Sequence, residues 1–135
     1  MRPIIYNKHK CLKSYATDIG FVDVYQYHAI FYAKEEVTIT LESILSLVTI
    51  AETHYQNHSH FAFISVRKYA FCIDPTVYEV LREYKGLEAF AIVSTKEEDI
   101  ETIKIEKHFF KKPMKIFPTL ASAIEWTNNI ILTAK

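Results

Sequence analysis

Glycine is scarce in this chain: Gly20 and Gly86 are the two in 135 residues. Phosphate-cradling loops need several glycines for tight turns and close backbone approach. Neither a Walker loop nor a GxGxxG fingerprint can be assembled, which argues against ordinary ATP, GTP or NAD chemistry. Cysteine is equally sparse. Cys11 and Cys72 are far apart and form no CxxC pair, so free thiols and a cytoplasmic location are the expectation. Net charge is absent, with sixteen basic and sixteen acidic side chains. A nucleic-acid binder usually carries a basic excess, so no nucleic-acid partner is expected. The small repulsion between copies is compatible with a homodimer. No apolar run approaches the roughly 18 residues of a spanning helix, and the first residues do not form a leader, so no membrane span is expected.

What is present is a core. Half of the residues are apolar, and the length suits one domain. Residues 1–20 are weakly patterned and read as an extension holding at most one strand, with the domain proper over 21–135. From Phe21 the pattern sharpens. Phe21–Tyr25 and Ala29–Ala33 read as a hairpin turning at Tyr27–His28, and Val37–Ile39 is expected to extend the sheet edge. Thr40 is a good N-cap for a helix with Leu41, Ile44, Leu45, Val48 and Tyr55 on one face. Phe61–Val66 is nearly continuous in apolar residues, as a central parallel strand is.

Asp74-Pro75 is a strong start signal for a second helix, with Val77, Val80, Leu81 and Tyr84 inward and Gly86 in the left-handed position past its end. Leu87–Ser94 is the next strand. Thr95-Lys96-Glu97-Glu98 has capping-box spacing and opens a third helix carrying Ile100, Ile103 and Phe110. Glu97, Glu98, Asp99 and Glu101 then form a solvated helix start. Met114–Phe117 is a short strand, followed by a helix with Leu120, Ala123, Ile124, Thr127 and Ile131 inward. The order predicts an α/β fold: a mixed central sheet of about five strands starting with a β-hairpin, with four helices.

Three stretches carry a resemblance. They are Phe117-Pro118-Thr119-Leu120-Ala121-Ser122-Ala123-Ile124-Glu125-Trp126, the strand Phe90–Val93 with the helix ending Phe109-Phe110-Lys111-Lys112-Pro113, and Phe61–Val66 followed by Ile73-Asp74-Pro75-Thr76. Together, over about residues 21–133, they resemble the STAS and SpoIIAA-like domains of the bacterial anti-sigma-factor antagonist superfamily. The resemblance implies a SpoIIAA-like fold and a non-enzymatic interaction domain without a cofactor. Its partner would be a protein, such as an anti-sigma-factor-like kinase, or a second copy. In the antagonists an Asp-Ser-Ser-Gly motif is phosphorylated on its second Ser. Asp74 matches the Asp and Thr76 stands where that Ser would be, but Pro75 and Val77 replace the first Ser and the Gly.

Each candidate side chain has a plainer reading beside it. A phosphate on Thr76 would be favoured by free N–H groups and repelled by Asp74. His54, His58 and His60 have ligand-like spacing, yet a solvated helix end is the economical reading. Cys72 precedes the Asp74 turn and reads as a small buried hydrophobe. Lys107, Lys111, Lys112 and Lys115 read as complements to a helix C-terminus. Nine tyrosines are too many to bury with satisfied hydroxyls. Tyr25, Tyr27, Tyr32 and Tyr78 are expected on an interaction surface, the hairpin three as an aromatic patch. The alternative function, a Sec14-like module for a small molecule or lipid, requires an apolar cavity on the order of 300 Å3.

Overall fold

The computed structural model describes residues 11–55, 60–69 and 71–133. Chain order is β1 (Lys13–Thr17), β2 (Gly20–Val24), β3 (His28–Ala33), β4 (Val37–Ile39), α1 (Leu41–His54), β5 (Phe61–Val66) and β6 (Phe71–Ile73). It continues with α2 (Val77–Leu81), β7 (Leu87–Val93), α3 (Glu97–Phe110), β8 (Met114–Phe117) and α4 (Leu120–Thr133). A six-stranded sheet runs β1-β2-β3-β5-β7-β8. The first three strands are antiparallel, and β3, β5, β7 and β8 are parallel.

The mixed sheet opened by a hairpin and the four helices among the described residues are those the sequence predicts. The sixth strand is β1. Val37–Ile39 does not extend the main sheet: as β4 it pairs in parallel with β6, a strand too short to leave a periodic signal.

Strand alternation divides the interior in two. Val22, Val24, Phe63, Phe90 and Ile92 face α1, α2 and α3 and meet Ile44, Leu47, Tyr78, Ile103 and Phe110. An aromatic ladder fills this side. Phe63 stacks on Phe90 at 5.2 Å between centroids, and Phe110 meets Phe90 edge-on at 5.7 Å, the offset and edge geometries that aromatic quadrupoles favour. The other side carries small residues, Ala62, Ala89 and Ala91, beneath α4 with its own Ala123, Ile124 and Ile131. Alanines let α4 approach closely and pack at interior density. Trp126 rests on Phe117 at 5.4 Å.

Several helix faces differ in detail from expectation. On α1 the buried residues are Ile44, Leu47, Val48 and Ile50, while Leu41 and Leu45 are exposed. The helix lies with its buried stripe on Ile44, Leu47, Val48 and Ile50, toward the sheet. On α2, Tyr78 is buried and Val80 exposed; on α3, Ile100 is exposed. The left-handed residue past a helix is Lys111, with φ 60°, and Gly86 lies outside that region. The α2 end is instead held by Lys112, whose Nζ donates to the carbonyls of Tyr84 and Leu87 at 2.7 and 2.8 Å.

Gly20 is conformationally required. Its φ is +154°, and a Cβ would lie 2.2 Å from the Tyr32 carbonyl oxygen and 2.8 Å from Phe31. Thr17 Oγ1 completes the β1–β2 turn, accepting from the N–H groups of Ile19 and Gly20. Gly20→Ala therefore strains the backbone and pushes β2 from β3. A loss of about 2 kcal/mol or more in urea unfolding is expected, whereas Gly86→Ala changes stability by less than about 1 kcal/mol.

Candidate functional site

Parallel strands bring their carboxyl ends, and the helices that follow, to one edge of the sheet, where ligands of open α/β sheets gather. Here that edge holds Arg67 after β5, Asp74-Pro75-Thr76 after β6, and Ser94 and Lys96 after β7. The parallel β4–β6 pair places the starts of α1 and α2 side by side, with the Asp74 N–H donating to the Ile39 carbonyl at 2.9 Å.

The Asp74–Val77 turn is ordered by its own side chains. Thr76 donates to Asp74 Oδ1 twice, from its backbone N–H at 3.0 Å and its hydroxyl at 2.7 Å. Asp74 thus caps the turn as its sequence suggests, and Pro75 occupies the position that needs no N–H. Bonds from Val77 to Asp74, Tyr78 to Pro75 and Glu79 to Thr76 wind a 3₁₀-type turn into α2. The Thr76 hydroxyl bond, then the Thr76 N–H bond, hold the exposed Asp74 carboxyl below its ordinary pKa. The sequence places Asp74 and Thr76 together, and the structure joins them; the Thr76 hydroxyl is engaged with the Asp74 carboxylate.

Beneath the turn lies a buried ionic network with no sequence signature. Arg67 is 2% exposed and Glu106 3%. Arg67 Nη1 and Nη2 donate to Glu106 Oε2 and Oε1 at 3.1 and 2.7 Å, a bidentate pair. Nη2 also donates to the Tyr78 hydroxyl at 2.9 Å, and that hydroxyl donates to Glu106. Asp99 Oδ1 lies 3.9 Å from Arg67. Burial opposes the Arg67 charge, but the oxygens of Tyr78, Glu106 and Asp99 outweigh it and raise the guanidinium's pKa. Burial likewise pushes the Glu106 carboxyl up, and the Arg67 hydrogen bonds and charge win, holding it below its usual value. Burial raises the Tyr78 hydroxyl, keeping it a donor.

Tyr78 is therefore a buried structural group, not part of a surface. Tyr25 is also corrected: it is 1% exposed, stacked on His28 at 4.9 Å and packed against Ile30 and Ile64. Its N–H bond to the His28 carbonyl closes the hairpin turn, and the ring lies inward with the α4 layer. Tyr27 and Tyr32 are half-buried, so no patch forms from all four. Asp99 is likewise buried rather than solvated. It accepts from the Ser94 hydroxyl at 2.6 Å, and the Lys96 N–H donates to Ser94 Oγ at 3.1 Å. Ser94, not Thr95, thereby organises the start of α3.

The remaining candidates disperse. His54 shares a 2.7 Å hydrogen bond with the Tyr15 hydroxyl, and His60 pairs with Glu88 at 2.7 Å. His58 lies outside the described residues. Among the described residues no cluster of His, Cys, Asp or Glu is arranged to hold a metal ion. Cys72 is exposed, not buried, and both thiols are free. It sits on β6, which pairs only with β4 among the described residues.

Cys72, Ile73, Pro75, Thr102 and Ile105 wall a cleft of about 240 Å3 whose floor is Arg67 and Glu106. This is the candidate site: a mainly apolar cleft at the carboxyl edge, bounded by the anionic turn and seated on a fixed ion pair. The apolar spaces between α1, α2 and the sheet measure only about 20 and 10 Å3. No helix of the described residues is long and apolar enough to cross a membrane.

No protein-family model matches the chain, and neither does any curated protein. Among solved structures it is similar to an uncharacterised protein from the DUF3478 family with a SpoIIAA-like fold, from Shewanella loihica PV-4. The TM-score is 0.54 at 14% sequence identity, over 88% of this chain and 94% of that one. The fold is thus SpoIIAA-like, as the sequence motifs suggest, and the likeness extends to the fold alone.

Two measurements probe the network. Arg67→Ala leaves Glu106 buried and unpaired, and a loss of about 3–5 kcal/mol is expected; Arg67→Met with Glu106→Leu costs clearly less than the sum of the single changes. Glu106 has a lower pKa folded than unfolded, so its contribution is complete above the ordinary value of 4.5 and is lost as pH falls through the folded one. Stability of the parent protein should fall as pH drops below the ordinary carboxyl value of 4.5, and Glu106→Gln should flatten that slope.

Proposed function

We propose that this chain is a non-enzymatic protein-interaction domain of the STAS-like kind. It docks a protein partner at the cleft beside the Asp74–Thr76 turn. The observation that carries this reading is the cleft itself: apolar walls from Ile73, Pro75 and Ile105 beside an exposed carboxylate. At about 240 Å3 it is smaller than the usual pocket for a drug-sized ligand, and it suits one or two inserted side chains. An apolar anchor in a pocket with a charged rim is the usual arrangement of an interaction hot spot. The fixed Arg67–Glu106 floor keeps the cleft shape before binding, which lowers the ordering cost of association.

The turn serves here as a permanently anionic contact. Asp74 supplies the charge that a phosphate would bring, and Thr76 positions that carboxylate. A partner with an apolar anchor and a neighbouring cation fits these features. An anti-sigma-factor-like kinase is a partner that suits the SpoIIAA-like architecture, and regulation through it is part of this proposal. The Sec14-like alternative is disfavoured because the interior spaces are far below the size a lipid requires.

Cys72 offers a direct test, because its thiol lines the cleft. In a Cys11→Ser background, a photo-crosslinker on Cys72 should give one discrete protein adduct in the native host. Ile105→Lys should reduce its yield about tenfold or more, while Leu132→Lys, on the exposed face of α4, leaves it unchanged. Equal yields from both variants, or lipid recovered with the purified protein in their place, would overturn the reading.

A further inference from the structure

The two edges of the main sheet are not equivalent. β8 has four residues, is bracketed by Pro113 and Pro118, and exposes Lys115. Proline and lysine are standard means of blocking edge-to-edge pairing. β1 has five residues, no proline, and no strand on its outer side among the described residues. Next to it, Leu12 and Phe21 are 59% and 55% exposed. An open edge flanked by exposed apolar side chains is a template for another strand.

The side chains of β1 say which strand fits. Tyr15 reaches His54 on α1, so Tyr15 lies on the α1 face of the sheet; alternation puts Lys13 and Thr17 on that face too. Ser14 and Ala16 lie on the opposite face, paired with Asp23 and Phe21. Between the β1–β2 turn and the first turns of α1 opens a cleft of about 420 Å3, lined by Thr17, Asp18, Thr40, Glu42, Ser43 and Ser46 among others. Its lining has two carboxylates, several hydroxyls and no cationic side chain.

We infer that β1 pairs antiparallel with β1 of a second copy about a twofold axis near Tyr15, each Lys13 entering the other copy's Asp18–Glu42 cleft. An antiparallel pair centred on Tyr15 sets Lys13 of one copy opposite Thr17 of the other, on the α1 face, where the cleft opens. A parallel pair would instead bring the two Lys13 residues together. The contact is isologous, as most homodimer contacts are. It joins two six-stranded sheets into one and covers the Leu12 and Phe21 side chains next to the axis. The zero net charge of the chain adds no long-range repulsion. The surface is separate from the cleft beside Asp74 and stands or falls independently of it.

Sedimentation equilibrium of the full chain, with amide exchange of residues 11–19 at low and high protein concentration, tests this. A concentration-dependent dimer is expected, with slower β1 exchange in the dimer and a weakening as salt rises. Lys13→Glu should loosen the dimer about tenfold or more, and K13E/D18K should restore it to within about threefold of the parent. Thermal unfolding of each variant checks that the fold is retained. A chain monomeric at every concentration, a dimer indifferent to Lys13→Glu, or one that K13E/D18K fails to restore overturns the inference. So does β1 exchange that is equally slow in monomer and dimer.

Discussion

Arg67 is buried at the end of the central strand β5, and its guanidinium must be matched or the fold cannot close over it. Three side chains from two helices supply the match. The Glu106 carboxylate comes from α3, the Tyr78 hydroxyl from α2, and Asp99 from the first turn of α3. A charge removed from water costs several kcal/mol unless its partners are complete, so α2 and α3 are held in one relative position. That constraint explains why α2 is stable at five residues. So short a helix has almost no intrinsic stability; its place is set by Tyr78 reaching the ion pair and by the ring packing edge-on against Phe90 and Phe110.

The same network shapes the surface above it. Arg67 and Glu106 form the floor of the cleft that Ile73, Pro75 and Ile105 wall, and the Asp74–Thr76 turn runs directly into the helix that carries Tyr78. Interior and candidate site are therefore one construction, with charge at the base, apolar walls and a self-capped acidic turn at the rim. The opposite layer does different work. Alanines on β5 and β7 bring α4 close, while the β1–β2 part of the sheet extends beyond its reach and leaves Phe21 exposed.

Much of this was legible in the residue order. Asp74-Pro75 marks the turn, and Thr40 caps α1 through reciprocal bonds with Ser43. The nearly continuous apolar runs of Phe61–Val66 and Leu87–Val93 anticipate two-sided burial. The network was not legible. Arg67, Asp99 and Glu106 look like surface charges because charged side chains usually are, and Arg67 and Glu106 are 39 residues apart. One clue existed: Glu106 stands three residues after Ile103 and four before Phe110, on the inward stripe of α3, where a carboxylate needs a partner. The tyrosines misled for a related reason. Composition shows that nine cannot all be buried, but not which; Tyr25 and Tyr78 went inside because the His28 ring and the Arg67–Glu106 pair await them.

The sequence by itself determined the order of the four helices and of β2, β3, β5, β7 and β8, the mixed sheet and the position of the acidic turn, because periodicity and capping are local and are written within a few residues. Only the tertiary structure decided which charges are buried, which tyrosines face solvent and where a cleft opens. Those outcomes depend on side chains far apart in the chain meeting at the carboxyl edge of the sheet, and the free energy of burying a charge depends on partners that no local pattern names.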